Sequence, residues 1–131
     1  MTLSDLAILF RGLQLFAHNA HHLAKGVSFF EDHEFLGETY QAYESAYDSV
    51  IELIIGDGGT VDLLSVQADA VSVLNDLSGE SFPVLYRGEE QIQKAVDEIA
   101  AGTKDQGVIQ VIGTIAQDSK VRRYKIGQRI S

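Results

Sequence analysis

The stretch Ala20–Tyr40, AHHLAKGVSFFEDHEFLGETY, decides how this chain is read. It sets His21, His22 and His33 among Phe29, Phe30 and Phe35, with Glu31, Asp32, Glu34 and Glu38 interleaved and Glu44 just beyond. Such a mixture is either an amphipathic surface or a ligand site enclosed by packed structure. Gly26 divides the stretch, and apolar residues recur at helical spacing on both sides of it. The segment therefore reads as a short link between two antiparallel helices.

Upstream, Ser4–Lys25 carries Leu6, Leu9, Phe10, Leu13, Phe16, Ala17, Ala20, Leu23 and Ala24 at intervals of three and four, the pattern of one buried face. Ser4 suits its N-cap, Gly26 its end, and Lys25 the negative end of its dipole. Downstream, Ser28–Ile55 holds a stripe of Phe30, Tyr40, Tyr43, Tyr47, Val50, Ile51 and Ile54, stopped by Gly56–Gly59. A shorter helix is expected over Thr60–Leu77, capped by Thr60. Ser78–Gly88, with the only proline, Pro83, reads as a loop, and Glu89–Ala101 as an amphipathic helix closed by Gly102. In Asp105–Ile130 the β-branched run suits a strand by propensity. Val108, Ile109, Val111, Ile112, Ile115 and Ala116 also keep helical spacing, and no other segment offers a partner strand, so a helix is expected. The result is one all-α domain over 1–131, a four-helix bundle with a short extra helix between helices 2 and 3.

A chain of 131 residues, 45% hydrophobic and 22% charged, is long and apolar enough to bury a core. The absence of cysteine excludes disulfides, zinc–thiolate sites and iron–sulfur clusters. The start MTLSDLAILFRGL carries Asp5 and Arg11 within its apolar run, unlike a signal peptide, and is too short to span a bilayer. A cytoplasmic location and no membrane contact are expected. A net charge of −9 argues against nucleic acid binding over the whole surface. The charge is uneven. Eight of the nineteen acids lie between Glu31 and Asp57, and five of the ten basic residues (Lys120, Arg122, Arg123, Lys125, Arg129) lie in the last twelve positions. Each cluster has a bland reading as a solvated helix face.

Several motifs fail. GDGGTV lacks the Lys-Ser/Thr of a phosphate loop, HEFLG is not H-E-x-x-H, and no glutamate precedes a histidine by three. No serine stands in a nucleophile setting.

Helix geometry limits what the remaining ligands can do. Asp48 and Glu52 share a face of the second helix. His33, fifteen residues before Asp48, lies within about 60° of that face but roughly 22 Å away along the axis. One chain cannot bring both to one ion. Two copies of this helix, antiparallel about a two-fold axis near residues 40 and 41, would set His33 of one against Asp48 of the other. The turn at Gly26 folds His21 back to the height of His33, so one chain offers two imidazoles and the other two carboxylates. That set suits iron or zinc better than magnesium or calcium. The plain alternative is that the histidines are interface packing and the acids are solvated.

On these residues the sequence resembles Dps proteins, the mini-ferritins. The matching positions are His21, Lys25, Gly26, Phe29, Phe30, His33, Glu34, Tyr40, Asp48 and Glu52, without a gap between the histidines and acids, over about a quarter of the chain. The resemblance implies a ferritin-like four-helix bundle in a dodecameric shell built from two-fold dimers. It also implies a ferroxidase site of His21, His33, Asp48 and Glu52 shared between subunits. There ferrous iron (Fe2+) is oxidised by hydrogen peroxide or O2 and stored as Fe3+ mineral, protecting DNA. Where many members carry a further carboxylate ligand this chain has Gly37, and where many have tryptophan it has His22. His22 and Glu38 are auxiliary candidates. Gly37, less than a turn from the expected two-fold, reads as room for a close helix approach. With no lysine-rich N-terminal tail here, DNA binding is expected to be weak or absent, KVRRYKIGQR being the possible exception. A Dps-like shell with structural or partner-binding roles and little ferroxidase activity is the competing expectation.

Overall fold

A computed structural model describes all residues, Met1–Ser131, as five helices: α1 Leu3–Leu23, α2 Phe29–Gly56, α3 Leu63–Asp76, α4 Ser81–Ala101 and α5 Gln106–Ile130. There are no strands, so the terminal segment follows its helical spacing and not its β-branched composition. The caps differ from expectation. Thr2, not Ser4, opens α1 in a reciprocal capping box with Asp5, at 2.9 and 3.1 Å. Asp62, not Thr60, caps α3 through the Ser65 amide. Asp105 caps α5 through the Val108 amide. α1 ends at Leu23, so Lys25 lies beyond its last turn, and Gly26 takes the positive φ of 92° that lets the chain reverse.

The expected loop Ser78–Gly88 is mostly helix. α4 begins at Ser81, and Pro83 sits in its first turn. The first backbone bond of that helix comes from the Val84 amide to Glu80, so the N–H that proline lacks has no partner to lose. The extra helical turns let Phe82, Val84 and Leu85 join the core.

The five helices pack as a bundle in which α1 lies on α2, α3 and α4, and α5 lies on α4 and, more thinly, on α2. The Met1 amino group lies 3.5 Å from Glu98, so the start of α1 meets the end of α4. Arg129 donates two hydrogen bonds to Asp32, at 3.0 and 2.9 Å, so the end of α5 meets the start of α2. α1 is therefore antiparallel to α2 and α4, and the Gly56–Ser81 connection travels the length of the bundle. α3 lies in that connection and seats on α1 at Gly12, where an added Cβ would come within 2.5 Å of Val73.

Leu6, Phe10, Leu13, Leu36, Tyr43, Leu85, Ile92, Ile112 and Ile126 are buried at the centre. The stripes fail at the α1–α2 turn: Leu23 and Phe30, expected in the core, are 75% and 78% exposed. The basic cluster also divides. Arg129 clasps Asp32 and Arg123 lies over the Tyr86 ring, while Lys120 and Lys125 remain exposed. Arg122 turns inward. Its Nε and Nη2 donate to the wholly buried Glu89 carboxylate at 2.9 and 3.3 Å, and the Tyr43 hydroxyl donates to the same carboxylate at 2.5 Å. Burial, then the Glu89 charge, pushes the Tyr43 phenol well above its ordinary value. Burial opposes the Arg122 charge, but Glu89 outweighs it and raises the guanidinium.

Because the folded phenol holds its proton more tightly than the unfolded one, Tyr43 contributes stability that is complete below about pH 10 and falls as pH rises through its folded value. Tyr43→Phe is expected to cost about 1.5–3 kcal/mol near neutral pH, the value of a hydrogen bond to a charged group. It should also make the alkaline fall shallower. Denaturant titrations of both proteins across neutral to alkaline pH check both effects.

Candidate metal centre

α1 ends and α2 begins with their histidines face to face. The His21 Nδ1–H donates to the His33 carbonyl at 2.6 Å, and the His33 Nδ1–H donates to the His21 carbonyl at 2.8 Å. A carbonyl only accepts, so each ring carries a proton on Nδ1, and in the neutral ring this leaves the lone pair on Nε2. Imidazoles that bind metals are fixed in the same way, with the other ring nitrogen bonded to a carbonyl or carboxylate. The two rings stack at 3.7 Å between centroids and 17° between planes, and Phe29 stacks on His33 at 4.9 Å. An imidazole lone pair lies in the ring plane. Two nearly parallel planes do not converge on one ion between them, so each ring offers its nitrogen separately.

Gly37 makes this arrangement possible. A Cβ there would stand 3.0 Å from Cε1 and 3.1 Å from Nδ1 of His21. The glycine is thus explained within one chain, by the His21 ring lying on its backbone, and the close approach of a second helix is not needed. A Cβ at that distance would push the ring back by a few tenths of an ångström, whereas glycine itself costs about 1 kcal/mol in a helix relative to alanine.

The other histidines continue the cluster. His18 stacks on Tyr40 at 3.9 Å, as packing would have it, and on the exposed His22 at 4.9 Å. Glu38 is exposed on α2. Asp48 and Glu52 are exposed, four residues apart, on the far half of the same helix. The fold brings together His21 and His33, and keeps Asp48 and Glu52 on one face, but does not join the pairs. No three His, Asp or Glu side chains of one chain converge as a metal group.

Two features escape a reading by spacing. Between the histidines and Asp48, Arg11 Nη1 donates to Gln14 Oε1 at 2.8 Å, and Gln14 Nε2 donates to Glu44 at 3.1 Å. The Arg11 guanidinium covers the Tyr47 ring at 3.9 Å. The second is surface composition. Val27 in the turn before α2, Phe30 in its first turn and Ile55 at its end are exposed. An antiparallel two-fold near Tyr40 and Gln41 would carry Val27 and Phe30 to within about a turn of Ile54 and Ile55 on a second copy. The axis that matches His33 with Asp48 also matches exposed apolar groups.

Comparison with protein-family models, curated proteins and solved structures returns no match.

The glycine supplies a test. Gly113, also helical, has nothing within 4 Å of an added Cβ, so Gly113→Ala should gain up to about 1 kcal/mol. Gly37→Ala should lose stability instead, because the His21 ring, stacked on His33 and tied through Nδ1 to its carbonyl, has little freedom to move away. Chemical denaturation of the two variants beside the parent checks this. Equal gains at both positions would show that the ring does not depend on the glycine.

Proposed function

We propose that this chain is the subunit of a Dps-like mini-ferritin. In this reading it oxidises ferrous iron at a site shared by two subunits, stores the ferric product in a dodecameric shell, and so protects DNA in the cytoplasm. The observation that carries it is the reciprocal pair of His21 and His33, with both lone pairs freed and their rings stacked. The bundle gives further support: four helices with one connection running their full length is the connectivity of ferritin-like folds. No helix is long and apolar enough to cross a membrane.

The chemistry follows from the donor set. Iron enters as the substrate. His21 and His33 of one subunit offer neutral nitrogen donors suited to ferrous iron. Asp48 and Glu52 of the other offer negative oxygen donors, which favour the ferric product through its higher charge. Peroxide needs two electrons and two protons to become two waters, and a pair of ferrous ions held side by side supplies both electrons together. Paired delivery avoids the one-electron step that releases hydroxyl radical. O2 as the oxidant would need further electrons from additional iron. DNA binding in this reading stays weak, given the net charge of −9.

A second reading, a shell with structural or partner-binding roles and little ferroxidase activity, is favoured by Gly37, which brings no carboxylate to the site. Rapid growth of ferric absorbance on adding ferrous iron and peroxide, with iron retained in the particle, separates the two. Light scattering that finds only monomer at micromolar concentration would overturn both.

The shared site has a sharper test. His33→Ala and Asp48→Ala should each abolish rapid oxidation in uniform particles. In a mixed dimer one site takes both lesions and the other takes neither. Random co-assembly from equal amounts makes about half the dimers mixed, so roughly a quarter of the sites recover. Each variant must first be shown to assemble, and subunits must be exchanged by joint refolding or co-expression. Activity near that fraction is expected. Zero recovery from verified mixed particles would place the ligands within one chain or outside the reaction.

A further inference from the structure

Glu44 is exposed, yet one of its carboxylate oxygens is held from below. The Gln14 amide is fixed in one orientation by chemistry: Arg11 can only donate, so Gln14 must turn its oxygen to Arg11 and its nitrogen to Glu44. Gln14 is itself buried, and the Arg11 guanidinium lies over the Tyr47 ring. Arg11 makes no ion pair with any carboxylate, and its Nε is buried without a partner. A structural ion pair would have placed Arg11 directly on Glu44. A neutral amide stands between them instead, so Glu44 is oriented and keeps its negative charge and its second oxygen for another cation.

Its position on α2 says which. Glu44, Asp48 and Glu52 follow one another at intervals of four, so they rise along one face. Glu44 lies as far beyond an axis between Tyr40 and Gln41 as Gly37 lies before it. Gly37 has no side chain to block the approach, and what covers it is the edge of the His21 imidazole. The axis that sets Asp48 against His33 therefore sets Glu44 against His21.

We propose that Glu44 is a further ligand of the inter-subunit centre, a carboxylate delivered by the second subunit to the divalent transition-metal ion on His21, and that Gln14 is its positioning residue. This rests on the shared-site reading above. The subunit that gives up a carboxylate at Gly37, to make room for its own imidazole, receives one from across the axis.

Anaerobic titration of the assembled protein with Co(II), followed by its visible absorbance, tests this without any turnover. Glu44→Gln keeps the shape and still accepts the Gln14 hydrogen bond, but removes the charge. Glu90→Gln on α4 removes an equal charge away from the site and serves as the control for net charge. Thermal melts and light scattering verify fold and assembly of each. The expected result is Co(II) binding weakened about tenfold or more in Glu44→Gln, with an altered visible spectrum, and unchanged in Glu90→Gln. Gln14→Leu should weaken binding less and leave the spectrum of the saturated site close to that of the parent. Co(II) affinity and spectrum in Glu44→Gln equal to the parent would overturn the role of Glu44 and leave the shared site standing. A parent that binds Co(II) no better than His33→Ala would overturn the shared site, and Glu44 with it.

Discussion

A carboxylate buried without water needs a cation beside it, and the one that Arg122 brings to Glu89 ties the bundle together. The pair joins α5 to α4, and the Tyr43 hydroxyl extends it to α2. Few other contacts cross between α2 and α5, so this polar knot does there what apolar packing does along α1 and α2. Removing one partner of such a pair costs about 3–5 kcal/mol, because the charge left behind has no water to turn to. The His21–His33 stack rests instead on the apolar seam between α1 and α2, the most extensive in the bundle. Two rings locked by two hydrogen bonds keep their geometry only while the two helices that carry them are held in register.

The helices were legible because apolar spacing survives without knowledge of the tertiary structure. Boundaries were legible only where the local chemistry had a single solution. Gly102 closes α4 as expected, whereas α1 stops at Leu23 and Gly26 serves the turn beyond it. Pro83 was read as a breaker, although in a first turn its missing N–H costs nothing, and the sequence does not say on which turn a proline will fall. Leu23 and Phe30 fit the stripes yet face outward, since a stripe gives a direction around a helix and not where the neighbouring helix ends. Glu89 was invisible as a core residue. A carboxylate on a buried face is tolerable only through Arg122, thirty-three positions away, and no local pattern announces that partner.

The site divides in the same way. That His21 and His33 meet could be argued from the short turn, and that Asp48 and Glu52 lie too far along α2 could be argued from helix rise. That each histidine bonds the other's carbonyl could not, because it depends on side-chain torsions. Gly37 is the instructive case. As a letter it looked like a ligand lost, or a slot for a neighbouring helix. In the fold it is the floor on which an imidazole rests. Gln14 shows a related blindness. It sits on the apolar stripe of α1, and its value lies in being the one side chain there able to accept from an arginine while donating to a glutamate.

The thin contact between α2 and α5 leaves a groove of about 380 Å³, floored by Phe10, Ala46 and Ile115 and edged by Ser45, Ser49 and Thr114. The bundle therefore resembles a book whose spine is the α1–α4 seam. Its free edge is clasped at the top by Arg129 on Asp32 and midway by the Glu89 knot. Below the knot no clasp remains. There α2 and α5 are held by apolar groups alone, Tyr47, Val50 and Ile51 on one and Val108, Ile112 and Ile115 on the other, and apolar contact, which has no direction, fixes their spacing more firmly than their register.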